Sequence, residues 1–426
     1  MQSGVLLRKK RGNDMNIRVA VVFGGKSTEH EISVISAVQA MHAFDTERYE
    51  IIPVYMTKDG LCYTGNEMKE IAAFQGNIAE MLKRNIRVDW VREGGSVLLV
   101  QHEKKRFGAS FSQGVDIVFP IVHGTNVEDG ALTGFFKTLD VPVVGCDVLS
   151  AAVGMDKYVQ KAVMKDSGIP VLPCACYSWK DYEEEEKVLA DIEARFSYPV
   201  IVKPLNLGSS IGISKAADRE SLSEALELAF SFAKKILVEP AITNLKEVNC
   251  SVLGDYEEAT ASECESPLGE DEILSFTDKY MAGGGSKGAK GAKDASAKTA
   301  PAMKTGGGAK GTKGSGMASL SRKLPADIAP EKREEIRAMA VKAFHALGCT
   351  GVVRIDFMMD LDDGGKVYLN EFNTIPGSLS FYLWEASGVP YRELLNRLID
   401  ITLKNAREDA KLVYSFDTNV LARARV

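Results

Sequence analysis

Residues 351–377 read GVVRIDFMMDLDDGGKVYLNEFNTIPG, and this segment carries the strongest local signal of structure in the chain. Two runs rich in apolar residues, 352–360 and 366–373, flank LDDGG, a segment with the composition of a turn. The pattern predicts two antiparallel strands joined by a short turn. Polar residues interrupt both runs at intervals of two, which indicates that one face of this hairpin does chemistry rather than packing.

Four polar side chains are predicted to converge on that face. Alternate residues of a strand share a side, so Arg354 and Asp356 project together, and so do Glu371 and Asn373. Two carboxylates and an amide oxygen suit Mg²⁺, and arginine suits a negative charge that develops during group transfer. The sequence therefore predicts a metal and phosphate site; the alternative is a solvated face with incidental ion pairs.

The composition is that of a globular protein. The 426 residues are 45% hydrophobic and 26% charged, and this length predicts about three domains. A net charge of −6 gives no basic surface for nucleic acid, and no apolar run is long enough to span a membrane. Seven cysteines without a CxxC pair, and an N-terminus without a secretory apolar segment, favour a cytoplasmic protein with reduced thiols.

Strands and helices alternate from residue 17 onward. IRVAVVF is followed by a Gly24-Gly25 turn and a helix, which predicts an α/β fold that begins with a parallel sheet and becomes α+β in its C-terminal part. The predicted segments are a disordered extension at 1–15, a Rossmann-like domain at 16–145, a central domain at 146–238, and a C-terminal domain at 239–426 that contains a flexible Gly/Ala/Lys-rich loop at 281–316.

Candidate nucleotide ligands cluster in the middle of the chain. Lys203 ends the strand VIVK, and the loop Gly208-Ser209-Ser210-Ile211-Gly212 follows, where small residues let backbone N–H groups approach phosphate. The alternative is an ordinary β-turn. Lys157 is a second phosphate candidate, unless it is merely exposed. Glu239 and Glu247 are candidates for an adenine amino group and ribose hydroxyls, or are two surface acids.

Candidate substrate ligands lie nearer the N-terminus. Glu29 follows the Gly24-Gly25 turn and is predicted to face a ligand, whereas Thr28 and Glu31 have capping-box spacing and are assigned to structure. His123 follows the strand DIVFPIV, at the carboxyl end where open α/β sheets bind ligands. The alternative for His123 is a loop histidine whose hydrogen bonds the protein itself satisfies.

Seven motifs together resemble the ATP-grasp ligases, and among them the D-alanine:D-alanine ligases. The resemblance runs from about residue 17 to residue 404 and is interrupted by the Gly/Lys tract. The motifs are FGGKSTEHEIS, HGTNVEDG, AAVGMDK, VIVKPLNLGSSIGIS, DKY, RIDFMMD and NEFNTIPGS. The resemblance implies an ATP-grasp fold, a homodimer, and D-alanyl-D-alanine synthesis for peptidoglycan precursors.

The resemblance also implies which residues bind ATP and metal. Ser209 and Ser210 would cover the phosphates. Two Mg²⁺ or Mn²⁺ ions would be held by Asp356, Glu371 and Asn373, with Glu371 between them. The implied nucleotide contacts are Lys157, Lys203, Glu239, Glu247 and Lys279.

The implied reaction has two steps. One D-alanine, held by Glu29 with Ser209 and Tyr280, is phosphorylated by ATP to an acyl phosphate, and the amine of a second D-alanine then displaces phosphate. Arg354 and the backbone N–H of Gly377 would stabilise the oxyanion. In the family that the sequence resembles, a tyrosine at the place of Tyr280 accompanies dipeptide synthesis, which implies that the second substrate is also D-alanine.

The sequence does not decide which serine binds the carboxylate of the second substrate. After Gly377, the segment that supplies a serine in the family is replaced by SLSFYLWE, so Ser378 and Ser380 are both candidates. Two alternatives to D-alanyl-D-alanine synthesis also stay open: a D-Ala:D-Ser or D-Ala:D-Lac ligase, and an ATP-binding regulatory protein without catalysis.

Overall fold

The computed structural model describes residues 16–103, 108–124, 126–208, 211–267 and 322–414. Within these ranges the chain forms three β-sheets with helices packed against them. The predictions for residues 1–15 and for the loop at 281–316 lie outside the described residues. Across the described ranges, no helix combines the length and apolar character needed to cross a membrane.

The first sheet confirms the predicted parallel layer and extends it. Its strands are β1 (Ile17–Gly24), β2 (Tyr49–Met56), β3 (Cys62–Thr64), β4 (Ile86–Glu93), β5 (Ser96–Gln101), β6 (Ser112–Val115) and β7 (Ile117–Ile121), in the order β6-β5-β4-β3-β2-β1-β7. Strand β1 pairs in parallel with β2 and β7, whereas β3 to β6 add antiparallel pairs. The helices of this part are α1 (His30–Ala43), α2 (Ile78–Arg84) and α3 (Ala131–Thr138).

The turn after β1 requires its glycine, but the predicted capping box does not form. Gly24 has φ +95°, and a Cβ there would lie 2.3 Å from the carbonyl oxygen of Met56. Helix α1 has no side-chain cap because it begins one residue later than the spacing of Thr28 and Glu31 requires. Glu31 instead accepts a hydrogen bond from Nζ of Lys58 at 2.8 Å.

The second sheet is antiparallel and carries the candidate phosphate lysine. Its strands are β8 (Ala175–Ser178), β9 (Val200–Pro204), β10 (Ser214–Ala216) and β11 (Lys235–Pro240), in the order β10-β9-β11-β8. The helices of this part are α4 (Val148–Met155), α5 (Lys157–Asp166), α6 (Trp179–Tyr182), α7 (Glu185–Arg195) and α8 (Arg219–Phe232). Alternate residues of β9 and β11 pack under α7 and α8, which leaves Lys203 and Glu239 on the other face.

The third sheet contains the predicted hairpin. Its strands are β12 (Leu245–Gly254), β13 (Ala259–Pro267), β14 (Arg322–Lys323), β15 (Gly351–Asp360) and β16 (Lys366–Asn373), in the order β14-β13-β12-β15-β16. The helices of this part are α9 (Pro330–Leu347), α10 (Phe381–Ala386) and α11 (Tyr391–Asp409). Helix α9 covers the apolar face of the sheet, so the polar face of the hairpin is turned away from this core.

The last helix packs against α1 and β15 and shares the hydrophobic core of the first sheet. Leu394, Leu398 and Ile399 of α11 lie in one hydrophobic core with Val21 of β1 and Ala37 of α1. The ends of the described chain are therefore joined by burial of apolar surface rather than by sequence proximity. The domain boundaries at 145 and 238 stay predictions.

Candidate active site

The hairpin of β15 and β16 forms, and its polar side chains contact one another. Arg354 lies opposite Asn373, and Asp356 lies opposite Glu371. The guanidinium of Arg354 donates to both Asp356 oxygens, at 2.7 and 2.8 Å, and Nδ2 of Asn373 donates to Asp356 Oδ2 at 3.0 Å. Burial alone would lower the pKa of Arg354, but the adjacent Asp356 carboxylate outweighs burial and raises it.

A β-bulge in β16 decides which residues reach this polar face. The register shifts just after Asp356, where Asn370 is the extra residue of β16. Leu369 before the bulge and Phe372 after it both lie in the hydrophobic core. The bulge therefore shifts the alternation of inward and outward side chains by one residue. As a result, Glu371 lies on the polar face, opposite the face of Leu369 and Phe372.

The second sheet presents a buried carboxylate between two lysines. Glu239 on β11 accepts from Nζ of Lys161 at 2.6 Å through one oxygen and forms an ion pair with Lys203 on β9 through the other. Burial alone would raise the pKa of Glu239, but the two ammonium groups outweigh burial and lower it to about 2. Nζ of Lys203 also donates to Oδ1 of Asn370 at 3.3 Å, which joins this face to the hairpin strand.

Helix α5 lies between these two sheets. Asp156 caps its first turn by accepting from two backbone N–H groups. Lys157 is 5% exposed, so it is not the exposed lysine of the alternative interpretation. Its Nζ donates to the carbonyl of Leu207 at 2.6 Å and lies 3.5 Å from Oε2 of Glu371. The lysine is therefore placed between the glycine-serine loop and the candidate metal ligands.

Two carboxylates face each other at the carboxyl end of the first sheet. Glu29 is buried, and a Cβ built on Gly208 would lie 3.6 Å from its Oε2, so Glu29 lies against Gly208. Glu128 accepts from the backbone N–H of Gly124 at 2.7 Å and of Ile375 at 3.2 Å. Burial, and then the charge of Glu29, raise the pKa of Glu128 to about 8.

His123 has a protein partner on each ring nitrogen. Nδ1 lies 2.8 Å from the carbonyl oxygen of Ile375, and Nε2 lies 3.3 Å from Oγ of Ser36. Because a carbonyl oxygen can only accept, Nδ1 carries the proton in this arrangement. Burial lowers the pKa of His123, which favours this neutral form. The geometry favours the satisfied histidine, and a direct substrate contact by His123 stays a prediction.

The loop after the hairpin distinguishes the two candidate serines. Residues 378–380 all have φ near +50°, directly after Gly377. Ser378 donates its backbone N–H to Oγ of Ser36 at 3.0 Å and its hydroxyl to Oε1 of Gln39 at 2.8 Å. The hydroxyl of Ser380 is buried and has no hydrogen-bond partner within the described ranges. Only Ser380 therefore has a hydroxyl that these contacts leave available for a ligand.

The structure places one more predicted nucleotide contact and leaves four residues undescribed. Glu247 lies on β12 opposite Met358, so by alternation it shares the polar face of Arg354 and Asp356. Ser209, Ser210, Lys279 and Tyr280 lie outside the described residues, and their roles stay predictions.

Three polar residues of the site, buried Gln160 and Lys161 and half-buried Glu128, were not predicted from the sequence. Gln160 and Lys161 follow Lys157 by three and four residues on α5, so the three side chains share one helix face. That spacing was an available signal. The sequence held no comparable signal for Glu128. The charge of Glu29 acts on its carboxylate and the backbone N–H of Ile375 donates to it, and both residues are distant in sequence.

The hairpin fits a divalent cation that is shared with a nucleotide. Among the residues that the structure describes, no three His, Cys, Asp or Glu side chains form a metal-binding group by themselves. Asp356, Glu371 and Asn373 supply two carboxylates and one amide oxygen. This partial set is what Mg²⁺ accepts when phosphate oxygens and water complete its octahedron. Metal affinity at this site is therefore expected to depend on bound nucleotide.

Comparisons of sequence with known proteins agree on one family. The family model for the D-ala D-ala ligase N-terminus matches residues 18–146, and that for the D-ala D-ala ligase C-terminus matches residues 163–302 and 312–400. The D-alanine--D-alanine ligase of Acetivibrio thermocellus is 36% identical over 410 residues, covering 92% of this chain and 98% of its own. That of Pelodictyon phaeoclathratiforme is 37% identical over 397 residues, covering 92% and 99%.

Solved structures give the same answer. The D-alanine-D-alanine ligase of Coxiella burnetii has a TM-score of 0.70 at 26% identity, with 93% of this chain and 98% of that chain covered. The VanG D-Ala:D-Ser ligase of Enterococcus faecalis has a TM-score of 0.70 at 30% identity, with 91% and 100% covered. With its three sheets and the polar cleft between two of them, the molecule has the ATP-grasp fold. The chain belongs to the D-alanine–D-alanine ligase family.

Proposed function

We propose that the protein joins two D-alanines to D-alanyl-D-alanine, with cleavage of ATP to ADP and phosphate, as a step in the synthesis of peptidoglycan precursors. One pair of neighbouring contacts carries this proposal: Lys203 donates to Asn370, the residue next to Glu371, and Glu371 lies 3.5 Å from Lys157. Two buried lysines and a metal-binding carboxylate meet there, and phosphoryl transfer depends mainly on such positioning and charge.

ATP binds between the second and third sheets. Lys157 and Lys203 neutralise phosphate oxygens, and Glu247 on the polar face of β12 reaches the ribose. Each oxygen of Glu239 already accepts from a lysine, so we assign Glu239 to orienting Lys203 rather than to a direct adenine contact. Ser209, Ser210 and Lys279 complete the proposed set. Mg²⁺ or Mn²⁺ held by Asp356, Glu371 and Asn373 would supply further charge neutralisation at the phosphates.

The first step makes an acyl phosphate. Glu29 holds the ammonium group of the first D-alanine, beside the glycine-serine loop. The substrate's carboxylate oxygen attacks the γ-phosphorus, the bond from that phosphorus to the β-phosphate oxygen breaks, and ADP leaves with the electron pair. Glu128 adds little negative charge near Glu29 at neutral pH, because its pKa of about 8 keeps it mostly protonated.

The second step forms the peptide bond. The free amine of the second D-alanine attacks the acyl carbon, and phosphate leaves with the electrons of the broken carbon–oxygen bond and takes up the proton that the nitrogen loses. Arg354 and the backbone N–H of Gly377 stabilise the oxyanion of the tetrahedral intermediate. Ser380 binds the carboxylate of the second substrate, because its buried hydroxyl has no other partner in the described part of the chain, whereas the hydroxyl of Ser378 is engaged by Gln39.

We propose D-alanine as the second substrate, with Tyr280 as its determinant. The similarity to a D-Ala:D-Ser ligase makes D-serine the relevant competitor. The test is release of ADP, with products identified by mass spectrometry, from D-alanine alone and from D-alanine mixed with D-serine or D-lactate at neutral pH. A predominant mixed product would overturn the specificity. ATP binding without D-alanine-dependent release of ADP would overturn the ligase proposal in favour of a regulatory protein.

The proposed enzyme is a cytoplasmic homodimer. Analytical ultracentrifugation of the purified chain tests its oligomeric state, and a purely monomeric species at micromolar concentration would contradict the proposal.

A further inference from the structure

An edge strand carries the candidate metal ligand Glu371. Strand β16 ends the third sheet and pairs within that sheet only with β15. On its other side lies Gln160 of α5, which is fully buried. The side chain of Gln160 donates through Nε2 to the backbone carbonyl of Asn370 at 3.3 Å and accepts through Oε1 from the backbone N–H of Phe372 at 3.2 Å. One side-chain amide therefore bonds this edge as a neighbouring strand would.

The two hydrogen bonds bracket Glu371 and include the residue that forms the bulge. Asn370 is the extra residue of β16, so its position decides the face of every residue after it. Without the bulge, regular alternation along β16 would put Glu371 on the face of Leu369, which lies in the hydrophobic core. A fixed bulge is therefore a condition for a carboxylate on the polar face.

We propose that Gln160 is a positioning residue for the metal site: its amide fixes the bulge and so holds the Glu371 carboxylate toward the cleft. This inference rests on the proposed function, in which Glu371 binds a divalent cation. Gln160 lies between Lys157, which faces Glu371, and Lys161, which bonds Glu239, all on one face of α5. The same helix face thus carries Lys157, a proposed phosphate ligand next to Glu371, and Lys161, which bonds the carboxylate that also pairs with Lys203.

The test measures metal affinity rather than turnover. Gln160→Met keeps the length and burial of the side chain but removes both hydrogen bonds. The Kd for Mn²⁺ is measured by electron paramagnetic resonance in the presence of ADP. We expect this Kd to rise roughly 10- to 100-fold, the usual effect of removing a group that orients a metal ligand. Hydrogen exchange of the Phe372 amide should accelerate in the same variant.

Two controls separate positioning from general loss of structure. Val163→Ala removes apolar packing from the same helix, and it should lower the thermal midpoint while leaving the Kd for Mn²⁺ unchanged. Gln113→Met removes an exposed amide bonded to Glu50 and should change neither quantity.

Three outcomes would overturn the inference, and they are distinguishable. Wild-type binding of Mn²⁺ with an equal Kd in Gln160→Met overturns the role of Gln160 alone. An equal rise in Kd in Val163→Ala assigns Gln160 to general stability. Failure of the wild-type protein to bind Mn²⁺ with ADP overturns the proposed metal site itself, and the role of Gln160 with it.

Discussion

Two carboxylates in this molecule, buried Glu239 and half-buried Glu128, have opposite shifts in proton affinity. Glu239, in the second sheet, has a pKa lowered to about 2, whereas Glu128, at the end of the first sheet, has a pKa raised to about 8. Burial raises the pKa in both cases, so burial does not explain the difference. Glu239 lies between the ammonium groups of Lys161 and Lys203, and Glu128 faces the carboxylate of Glu29.

One fold thus keeps two acids in different protonation states at neutral pH. In the proposed function, the nucleotide region uses a fixed negative charge to orient Lys203, and the paired ammonium groups keep Glu239 ionised. In the proposed function, the region of the first substrate receives an ammonium group beside Glu29, where a second full negative charge would repel the first. A mostly neutral Glu128 can accept two backbone hydrogen bonds there without that repulsion.

The largest expected effect is that of Glu239→Gln. The variant leaves two buried ammonium groups without a counter-charge, so the free energy of unfolding at pH 7 should fall by roughly 3–5 kcal/mol. It is measured by urea titration, with Glu227→Gln on the exposed face of α8 as the control.

The pH dependence tests the cause of that loss. The pKa of Glu239 in the folded protein, about 2, is below its ordinary value of 4.5. Its contribution is therefore present above pH 4.5 and is lost as the pH falls toward 2. The stability difference between wild type and Glu239→Gln should narrow over that range. A difference that does not change with pH would show that the two lysines do not hold the carboxylate ionised.

Lys161→Met should have the next largest effect. It removes one of two charge-assisted hydrogen bonds from Glu239 and should lower the free energy of unfolding by about 2–3 kcal/mol. Because a single lysine lowers the pKa of Glu239 less, the acid limb of the stability profile should shift to higher pH. Lys165→Met, at an exposed position of the same helix, is the matched control. Equal acid limbs for the two variants would contradict the assignment.

Glu128→Gln tests the opposite sign. The pKa of Glu128 in the folded protein, about 8, is above its ordinary value of 4.5, so its contribution to stability is present below pH 4.5 and is lost as the pH rises to 8. The amide can accept only one of the two backbone hydrogen bonds and should cost stability at every pH. Between pH 5 and pH 8 the free energy of unfolding of wild type should nevertheless fall relative to that of the variant, by about 2 kcal/mol after allowance for solvent screening. A constant difference, or a shift in favour of wild type, would contradict the raised pKa.

The sequence predicted the elements of this site better than their contacts. Strand alternation was enough to place Arg354 with Asp356 and Glu371 with Asn373, because that information is local. The bulge at Asn370 was missed, although the apolar residues change parity between Leu369 and Phe372. That change of parity is the local sign of an inserted residue.

The contacts that set the charges could not be read from the sequence in the same way. Lys161 and Glu239 are 78 residues apart, and Gln160 and Phe372 are 212 apart. No local pattern predicts a buried ion pair or a side-chain amide at a sheet edge, because both depend on how elements that are distant in sequence pack together. The packing of α11 against α1 and β15 is of the same kind: amphipathic spacing predicts that a helix buries one face, but not against which partner.

Two buried hydroxyl groups also differ in their partners, and replacing them should have small effects. Ser378 has the partner Gln39, and Ser380 has none in the described residues. Ser378→Ala should lower the free energy of unfolding by about 1 kcal/mol, since Gln39 loses its donor, and should leave the KM for the second D-alanine unchanged. Ser380→Ala should leave stability unchanged or slightly raised, because an unsatisfied buried hydroxyl is removed, while the KM for the second D-alanine rises roughly fivefold. Steady-state kinetics at saturating ATP, with the two D-alanine sites fitted separately, measures both constants. The reverse pattern would assign the carboxylate contact to Ser378, and it would mean that substrate binding breaks the bond to Gln39.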